Sequence, residues 1–266
     1  MSDPSKFTDV TYEVRDRAAW IIINRPEVYN AFRGQTLEEL IQAFQLAAND
    51  RNVSSIVLTG VGDKAFCTGG DQSAHEGKYD GRGVVGLPID ELQGLIRDVP
   101  KPVIARVNGF AIGGGNVLAT LCDLTIAADT AQFGQVGPKV GSVDAGWGTA
   151  LLARHVGDKK AREIWFINDR YTAEQAREMG LVNKVVPAAE LDAAVNDWTD
   201  KLAQRSPTAA NSSLSCTNRS PTNRVDLTGF EPCEWLRLAQ AIAQAFQLVQ
   251  NLYGHGEEHH DEGGQQ

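Results

Sequence analysis

Positive charge is scarce in this chain, in which 25 lysine and arginine residues face 34 aspartate and glutamate residues and the formal net charge is −9. This balance argues against nucleic acid or an anionic membrane surface as a partner. Long apolar runs are also missing, since runs such as residues 20–23 are far too short to span a bilayer. Residues 1–9 are polar and show no signal pattern. We therefore expect a cytoplasmic protein that binds neither nucleic acid nor membrane.

Cysteine motifs and metal-ligand spacings are absent as well. The four cysteines show no C-x-x-C pair, so they are expected to be reduced packing residues: Cys67, Cys122, Cys216 and Cys233. Three histidines follow Gly254, but without a fixed scaffold they predict a disordered tail rather than a metal centre: His255, His259 and His260. No metal or redox cofactor is expected.

One stretch of the chain combines a buried strand, a glycine-rich turn and a helix. Residues 103–107 are largely apolar and β-branched, which predicts a buried strand. Asn108 and Gly109 form a turn signal, and the glycine triplet 113–115 precedes apolar residues at helical spacing. The triplet is therefore predicted at a helix N-terminus. The first N–H groups of a helix have no internal partner and suit an anion, or an oxygen that gains negative charge.

A second glycine pair, Gly69 and Gly70, follows another strand-like run. The glycine triplet matches neither the dinucleotide fingerprint G-x-G-x-x-G nor the phosphate loop G-x-x-x-x-G-K-S/T. A purely structural turn stays open for the triplet, because such turns are common between strands and helices. The functional alternative is an oxyanion hole, formed by two backbone donors from two separate loops.

The order of the predicted elements indicates an α/β fold. Strand-like runs and amphipathic helices follow in the order strand, strand, helix, strand, loop, helix, strand, helix, strand. Residues 7–14 and 19–23 predict a hairpin, and residues 36–49 predict an amphipathic helix. Residues 132–144 are predicted as a loop, because glycine and proline interrupt them. In such folds, ligands gather at loops that follow strands.

The composition changes after Pro207, which predicts a core of residues 1–206 and a C-terminal region of residues 207–266. This region begins with many serine, threonine, asparagine and proline residues, and residues 234–252 regain an amphipathic helical pattern. Within the core, residues 73–86 hold many glycines and charges. They form either a loop that covers a substrate or an insert without fixed structure.

Two motifs resemble the crotonase (enoyl-CoA hydratase/isomerase) superfamily. Residues 65–72 read Ala-Phe-Cys-Thr-Gly-Gly-Asp-Gln, and residues 107–116 read Val-Asn-Gly-Phe-Ala-Ile-Gly-Gly-Gly-Asn, in family order. Residues 24–26 and 30–32 resemble the superfamily's N-terminal loop, which contacts coenzyme A. The likeness runs from about residue 7 to residue 208. It implies an α/β spiral of ββα units with a C-terminal helical region.

Within the superfamily, residues 133–144 resemble the dihydroxynaphthoyl-CoA synthase branch and, inside it, the 2-ketocyclohexanecarboxyl-CoA hydrolases. Residues 75–88 and the tripeptide 135–137 favour the hydrolases. Synthases that use bicarbonate usually have threonine where this chain has Val136, and the threonine hydroxyl is a donor to the bicarbonate.

The glutamate pair of the superfamily's hydratases has no counterpart here. Hydratases place one glutamate in the helix after the glycine triplet and another in the later loop. The matching positions of this chain hold no carboxylate: Asn116, Val117, Leu118, Gly137 and Pro138. Without that acid–base pair, addition of water across a double bond is not expected.

The resemblance implies an enzyme that hydrolytically opens a cyclic β-keto acyl-CoA, converting 2-ketocyclohexanecarboxyl-CoA into pimeloyl-CoA. Gly70 and Gly114 match the oxyanion-hole donors, and Ser142 and Asp144 match catalytic residues at the ketone end. Another reading of Asp144 is a turn-forming aspartate. The resemblance also implies residues that bind the substrate and coenzyme A: Asn30, Ala31, Phe32, Gly69, Asp71, Gln72, Tyr79, Gln135 and Gly137.

The C-terminal sequence departs from the superfamily. Members carry a catalytic tyrosine near a Leu-Tyr-Tyr-like pair, which nothing after about Ala210 matches, and Tyr253 stands in an unrelated context. Two alternatives therefore stay open, ring closure by a dihydroxynaphthoyl-CoA synthase and acyl-CoA binding without catalysis. The resemblance also implies a homotrimer or hexamer, with the coenzyme A thioester as substrate and no cofactor.

Overall fold

The larger of two β-sheets organises the computed structural model, which describes residues 3–71, 87–140 and 147–206. Its six strands have the spatial order β1 (Val10–Arg15), β2 (Ala18–Ile23), β3 (Ser55–Gly60), β5 (Val103–Val107), β7 (Leu124–Ala128) and β10 (Lys184–Val186). β1 and β2 form an antiparallel hairpin, and every other neighbouring pair is parallel.

Four strands of three residues each form a second sheet. Their order is β4 (Ala65–Cys67), β6 (Phe110–Ile112), β8 (Gln132–Gly134) and β9 (Arg170–Thr172). β4, β6 and β8 are parallel, and β9 is antiparallel to β8. A short turn leads from β3 to β4, from β5 to β6 and from β7 to β8. The chain therefore visits both sheets before it enters the next helix.

Helices cover both faces of the larger sheet. The eight α-helices of the described residues are α1 (Gly34–Asn49), α2 (Ile89–Asp98), α3 (Gly114–Leu121), α4 (Gly137–Val140), α5 (Gly148–Val156), α6 (Asp158–Ile167), α7 (Ala173–Glu178) and α8 (Leu191–Ala203). Alternate residues of β3 face opposite sides: Ile56 and Leu58 join the core that includes α1, α2 and α3, and Val57 joins the core under α8. Burial on both faces explains the continuous apolar character of the parallel strands.

The structure confirms the predicted α/β fold, the hairpin and the helix at residues 36–49, which begins at Gly34. The prediction of a loop over residues 132–144 is wrong for its first part, which contains β8 and α4. A three-residue strand is too short to show periodicity, and β8 is a strand because it pairs with β6 and β9. Residues 72–86, 141–146 and 207–266 lie outside the described ranges, so the covering loop, the boundary at residue 206 and the C-terminal helix stay predictions.

A buried carboxylate joins the N-terminal segment to the start of α1. Asp9 accepts hydrogen bonds from Arg33 at 2.7 and 2.8 Å and from the Thr36 hydroxyl at 2.7 Å. Burial raises the pKa of Asp9, but these hydrogen bonds and the charges of Arg33 and Arg25 outweigh burial. The pKa of Asp9 therefore lies below its ordinary value.

We expect Asp9→Asn to lower the free energy of unfolding at pH 7 by about 1.5–3 kcal/mol, because it removes the charge of a buried hydrogen-bond acceptor whose partner Arg33 is 41% exposed. The folded-state pKa is depressed, so the carboxylate contributes stability above its unfolded pKa of about 3.9 and loses it as the pH falls through the folded pKa. The gap between wild type and variant should therefore shrink in acid. Urea unfolding at pH 7 and at successively lower pH measures this gap.

The control is Asp197→Asn, which removes a surface ion pair with Lys201. Its effect should be at most about 0.5 kcal/mol at pH 7. A gap for Asp9→Asn that is equally large at every pH would contradict the expected role of the carboxylate.

Candidate active site

The turns after β4, β6 and β8 lie together at the carboxyl ends of these parallel strands. The Gly113 N–H donates to the Gly134 carbonyl at 2.9 Å, which joins the turns after β6 and β8. A Cβ atom built on Gly69 would lie 2.9 Å from the Gly114 nitrogen, which places the turns after β4 and β6 in contact. The carboxyl ends of parallel strands are where α/β proteins bind ligands. The structure thus brings the two predicted glycine turns together.

Close backbone packing explains why these turns need glycine. Gly69 and Gly113 have φ angles of +91° and +57°, which side chains other than glycine rarely adopt. A Cβ on Gly115 would overlap the Cys67 carbonyl. A Cβ on Gly114 would lie 2.9 Å from the Phe32 ring and 3.2 Å from the Gly69 Cα. The glycines therefore serve the packing of the two turns, whatever chemistry the turns support.

Gly114 begins α3, which confirms the prediction that the glycine triplet lies at a helix N-terminus. In this first position the Gly114 N–H has no acceptor within the helix. The hydrogen bonds of the helix start one turn later, where the Val117 N–H donates to the Gly113 carbonyl at 3.1 Å. A backbone donor therefore stands at the helix end that favours negative charge.

Gly70 is held by a parallel bridge to Phe32. The Phe32 N–H donates to the Gly69 carbonyl, and the Asp71 N–H donates to the Phe32 carbonyl, both at 2.8 Å. Successive N–H groups of an extended backbone point to opposite sides, so the Gly70 N–H points away from the Phe32 backbone. Each of the two predicted donors is thus fixed in one of two adjoining turns.

The segment of residues 30–32 packs against the turn that contains Gly70, through the bridge between Phe32 and Gly70. The Asn30 side chain accepts a hydrogen bond from the Arg25 N–H at 3.0 Å and donates to the Ala65 carbonyl at 2.7 Å. Asn30, Ala31 and Phe32 are buried. The Asn30 amide thus connects the segment of residues 30–32 to β4. A direct contact of these residues with coenzyme A stays a prediction.

Arg25 lies in the segment that resembles the coenzyme A loop, and the structure places it beside Asp71, a contact that the sequence did not predict. The Arg25 guanidinium donates to an Asp71 carboxylate oxygen at 2.8 Å and to the Ala31 carbonyl at 2.6 Å. Both side chains are at most 10% exposed. Asn24-Arg25-Pro26 is a visible motif, but a contact across 46 residues of sequence cannot be inferred from spacing.

The remaining predicted residues divide into two groups. Gln135 is buried just after β8, and Gly137 begins α4, so both follow the third strand of the cluster. The others lie outside the described residues: Gln72, Tyr79, Ser142 and Asp144. The functional roles of all predicted site residues stay proposals.

Cys67 ends β4 just before the first glycine turn, yet its environment does not favour a thiolate. Burial raises the pKa of the Cys67 thiol to about 12, and the hydrogen bond from the Gly69 N–H only partly opposes burial. The thiol is therefore protonated at neutral pH. Cys67 and Cys122 are buried free thiols, as expected for packing residues.

No carboxylate occurs in α3, the helix that begins at the glycine triplet. Val117 is buried, and neither polar atom of the fully buried Asn116 amide has a hydrogen-bond partner among the described residues. An amide does not take up a proton at neutral pH, so α3 offers no acid–base group.

Within the described ranges, no group of three His, Cys, Asp or Glu side chains could hold a metal ion. The helices described there include none long and apolar enough to cross a membrane.

Known proteins share both the sequence pattern and the fold of this chain. The sequence pattern of the family described as enoyl-CoA hydratase/isomerase matches residues 13–230. The crystal structure of enoyl-CoA hydratase from Bacillus anthracis is 28% identical, with a TM-score of 0.77 over 93% of this chain and 94% of that chain. Subunit I of an enoyl-CoA hydratase from Geobacillus kaustophilus is 26% identical, with a TM-score of 0.79 over 97% and 100%. The chain therefore belongs to the enoyl-CoA hydratase/isomerase family, the crotonase superfamily that its glycine turns resemble.

Proposed function

We propose that this protein hydrolytically opens the ring of a cyclic β-keto acyl-CoA, with 2-ketocyclohexanecarboxyl-CoA as substrate and pimeloyl-CoA as product. One observation carries the choice of reaction. Two adjoining glycine turns would provide donors for a thioester oxygen, while α3 holds no carboxylate at Asn116, Val117 or Leu118, the positions where hydratases of the superfamily carry a glutamate. The site thus supports formation of an enolate without the acid–base pair that hydration needs.

The reaction requires a place for negative charge on the thioester. Water adds to the ring ketone, and the bond between the former ketone carbon and the α-carbon breaks. The electron pair of this bond moves onto the thioester oxygen as an enolate, and protonation of the α-carbon completes pimeloyl-CoA. The Gly70 and Gly114 N–H groups would bind the enolate oxygen. Loss of one such donor raises a barrier by about 2.7–4 kcal/mol.

A polar group at the ketone end must orient water and move its proton. We assign this task to Asp144, with Ser142 two residues before it, on the resemblance of residues 133–144 alone. Both residues lie beyond α4 in a segment outside the described ranges. Proton transfer by such a group contributes about 10²–10⁴-fold to the rate.

Product analysis tests the proposed reaction. Purified protein incubated with 2-ketocyclohexanecarboxyl-CoA should release pimeloyl-CoA. The new carboxylate should contain at least one oxygen from H₂¹⁸O, and in D₂O the α-carbon should gain deuterium. Binding of the substrate without release of pimeloyl-CoA would contradict the proposal.

Two further substrates separate the other activities. The solved relatives are named enoyl-CoA hydratases, so crotonyl-CoA is the direct test of hydration, and its hydration at a rate above ring opening would favour that activity. Ring closure of succinylbenzoyl-CoA in the presence of bicarbonate would favour a dihydroxynaphthoyl-CoA synthase. We expect neither reaction to exceed ring opening.

A further inference from the structure

One guanidinium holds both sides of the bridge that carries Gly70. The bridge joins Gly70 to Phe32, and Arg25 contacts the residue next to each of them. Its Nη2 donates to the Asp71 carboxylate at 2.8 Å, and its Nη1 donates to the Ala31 carbonyl at 2.6 Å. The planar fork of an arginine fixes the angle between two such acceptors, which a lysine ammonium does not.

A second carboxylate, that of Asp9, holds this guanidinium in place. The Arg25 Nε lies 3.6 Å from the Asp9 carboxylate, which also accepts hydrogen bonds from Arg33, just before α1, and from Thr36 in its first turn. The side chains of Asp9, Arg25 and Asp71 are between 5% and 10% exposed. Because these side chains are shielded from water, the attraction between their charges is screened only weakly. The row of Asp71, Arg25 and Asp9 thus links the Gly70 turn to the start of the first helix.

We propose that Arg25 and Asp71 are positioning residues that set the place of the Gly70 N–H against the thioester oxygen. The proposal rests on the proposed use of Gly70 as an oxyanion donor and adds how the donor is held. A misplacement of about 1 Å can cost about 10²-fold in rate. The pair should therefore affect the chemical step more than the binding of the coenzyme A ester.

Two variants test the positioning role. Asp71→Asn keeps the shape of the side chain but removes its charge, and Arg25→Lys keeps the charge but removes the fork. Each should lower kcat for ring opening by about 10²-fold, while KM changes by no more than about threefold. Wild-type kcat in either variant would overturn the proposal, because the charge and the fork would then be dispensable.

A spectroscopic probe reports the same geometry without turnover. A cinnamoyl-CoA with a para-dimethylamino group absorbs at longer wavelength when donors polarise its thioester carbonyl. The wild type should shift this band on binding, and both variants should lose most of the shift. An unchanged shift in the variants would overturn the positioning role while leaving the proposed reaction in place. The absence of a shift in the wild type would instead contradict the oxyanion hole itself, and with it both proposals.

The chain offers a matched control for these substitutions. The Arg106 guanidinium also has two partners, Asp192 at 2.6 Å and Thr59 at 3.2 Å, on the side of the sheet that α8 covers. Arg106→Lys should keep the wild-type kcat and band shift. Urea unfolding of all variants separates local misplacement from global loss of the fold. Losses of kcat in Arg106→Lys equal to those in Arg25→Lys would overturn a specific role of Arg25.

Discussion

Gly114→Ala is expected to lower kcat for ring opening by about 10²–10³-fold, which is the typical cost of losing one oxyanion donor. The added Cβ would lie 2.9 Å from the Phe32 ring and 3.2 Å from the Gly69 Cα. The Phe32 ring is buried and has little room to move, so we expect the added Cβ to push the Gly114 turn away from the ring and from the Gly69 backbone. The Gly114 N–H would then move relative to Gly70. Steady-state kinetics with 2-ketocyclohexanecarboxyl-CoA measure the loss.

Gly94→Ala is the matched control, since a Cβ at Gly94 would meet no described atom outside its own helix within 4 Å. Gly94 lies inside α2, where alanine is favoured over glycine by about 0.5–1 kcal/mol. This variant should be slightly more stable than the wild type and equally active. Wild-type kcat in Gly114→Ala would show that the distance between the two turns does not matter for the reaction.

Asp144→Asn is expected to lower kcat by about 10²–10⁴-fold, because an amide cannot accept the proton of the attacking water at neutral pH. Binding of the acyl-CoA should persist, since the oxyanion donors and the coenzyme A contacts are unchanged. Calorimetry measures binding, and release of pimeloyl-CoA measures turnover.

Asp197→Asn on α8 removes the same charge on a surface helix and should leave turnover unchanged. If wild type and Asp144→Asn both bind the ester and neither turns it over, the chain is an acyl-CoA-binding protein. If both turn it over equally, Asp144 is a turn residue without a catalytic role.

The sequence predicts the larger sheet and its helices because their patterns are local. Residues 103–107 are largely apolar and β-branched, and α1 carries a clear amphipathic stripe. The smaller sheet has no such local pattern, since its strands have three residues each and become strands only by pairing with one another. Yet this sheet is what brings the glycine turns together. The glycines themselves mark the turns, but their contact depends on parallel pairing across distant parts of the chain.

The ion pair behind Gly70 is the other feature that the sequence does not reveal. Asp71 stands beside the glycine pair and resembles a residue that binds coenzyme A, whereas the structure gives its carboxylate a buried partner in Arg25. A charge pair between distant segments leaves no periodic signal. Only the fold shows that the residue after Gly70 and the residue before Phe32 share one guanidinium.

A crystal structure with a non-cleavable analogue of 2-ketocyclohexanecarboxyl-CoA tests the central claim most directly. We predict that the thioester oxygen lies within about 3.1 Å of both the Gly70 nitrogen and the Gly114 nitrogen, as hydrogen bonds to backbone N–H groups require. A thioester oxygen that contacts only one of these nitrogens, or neither, would contradict the account.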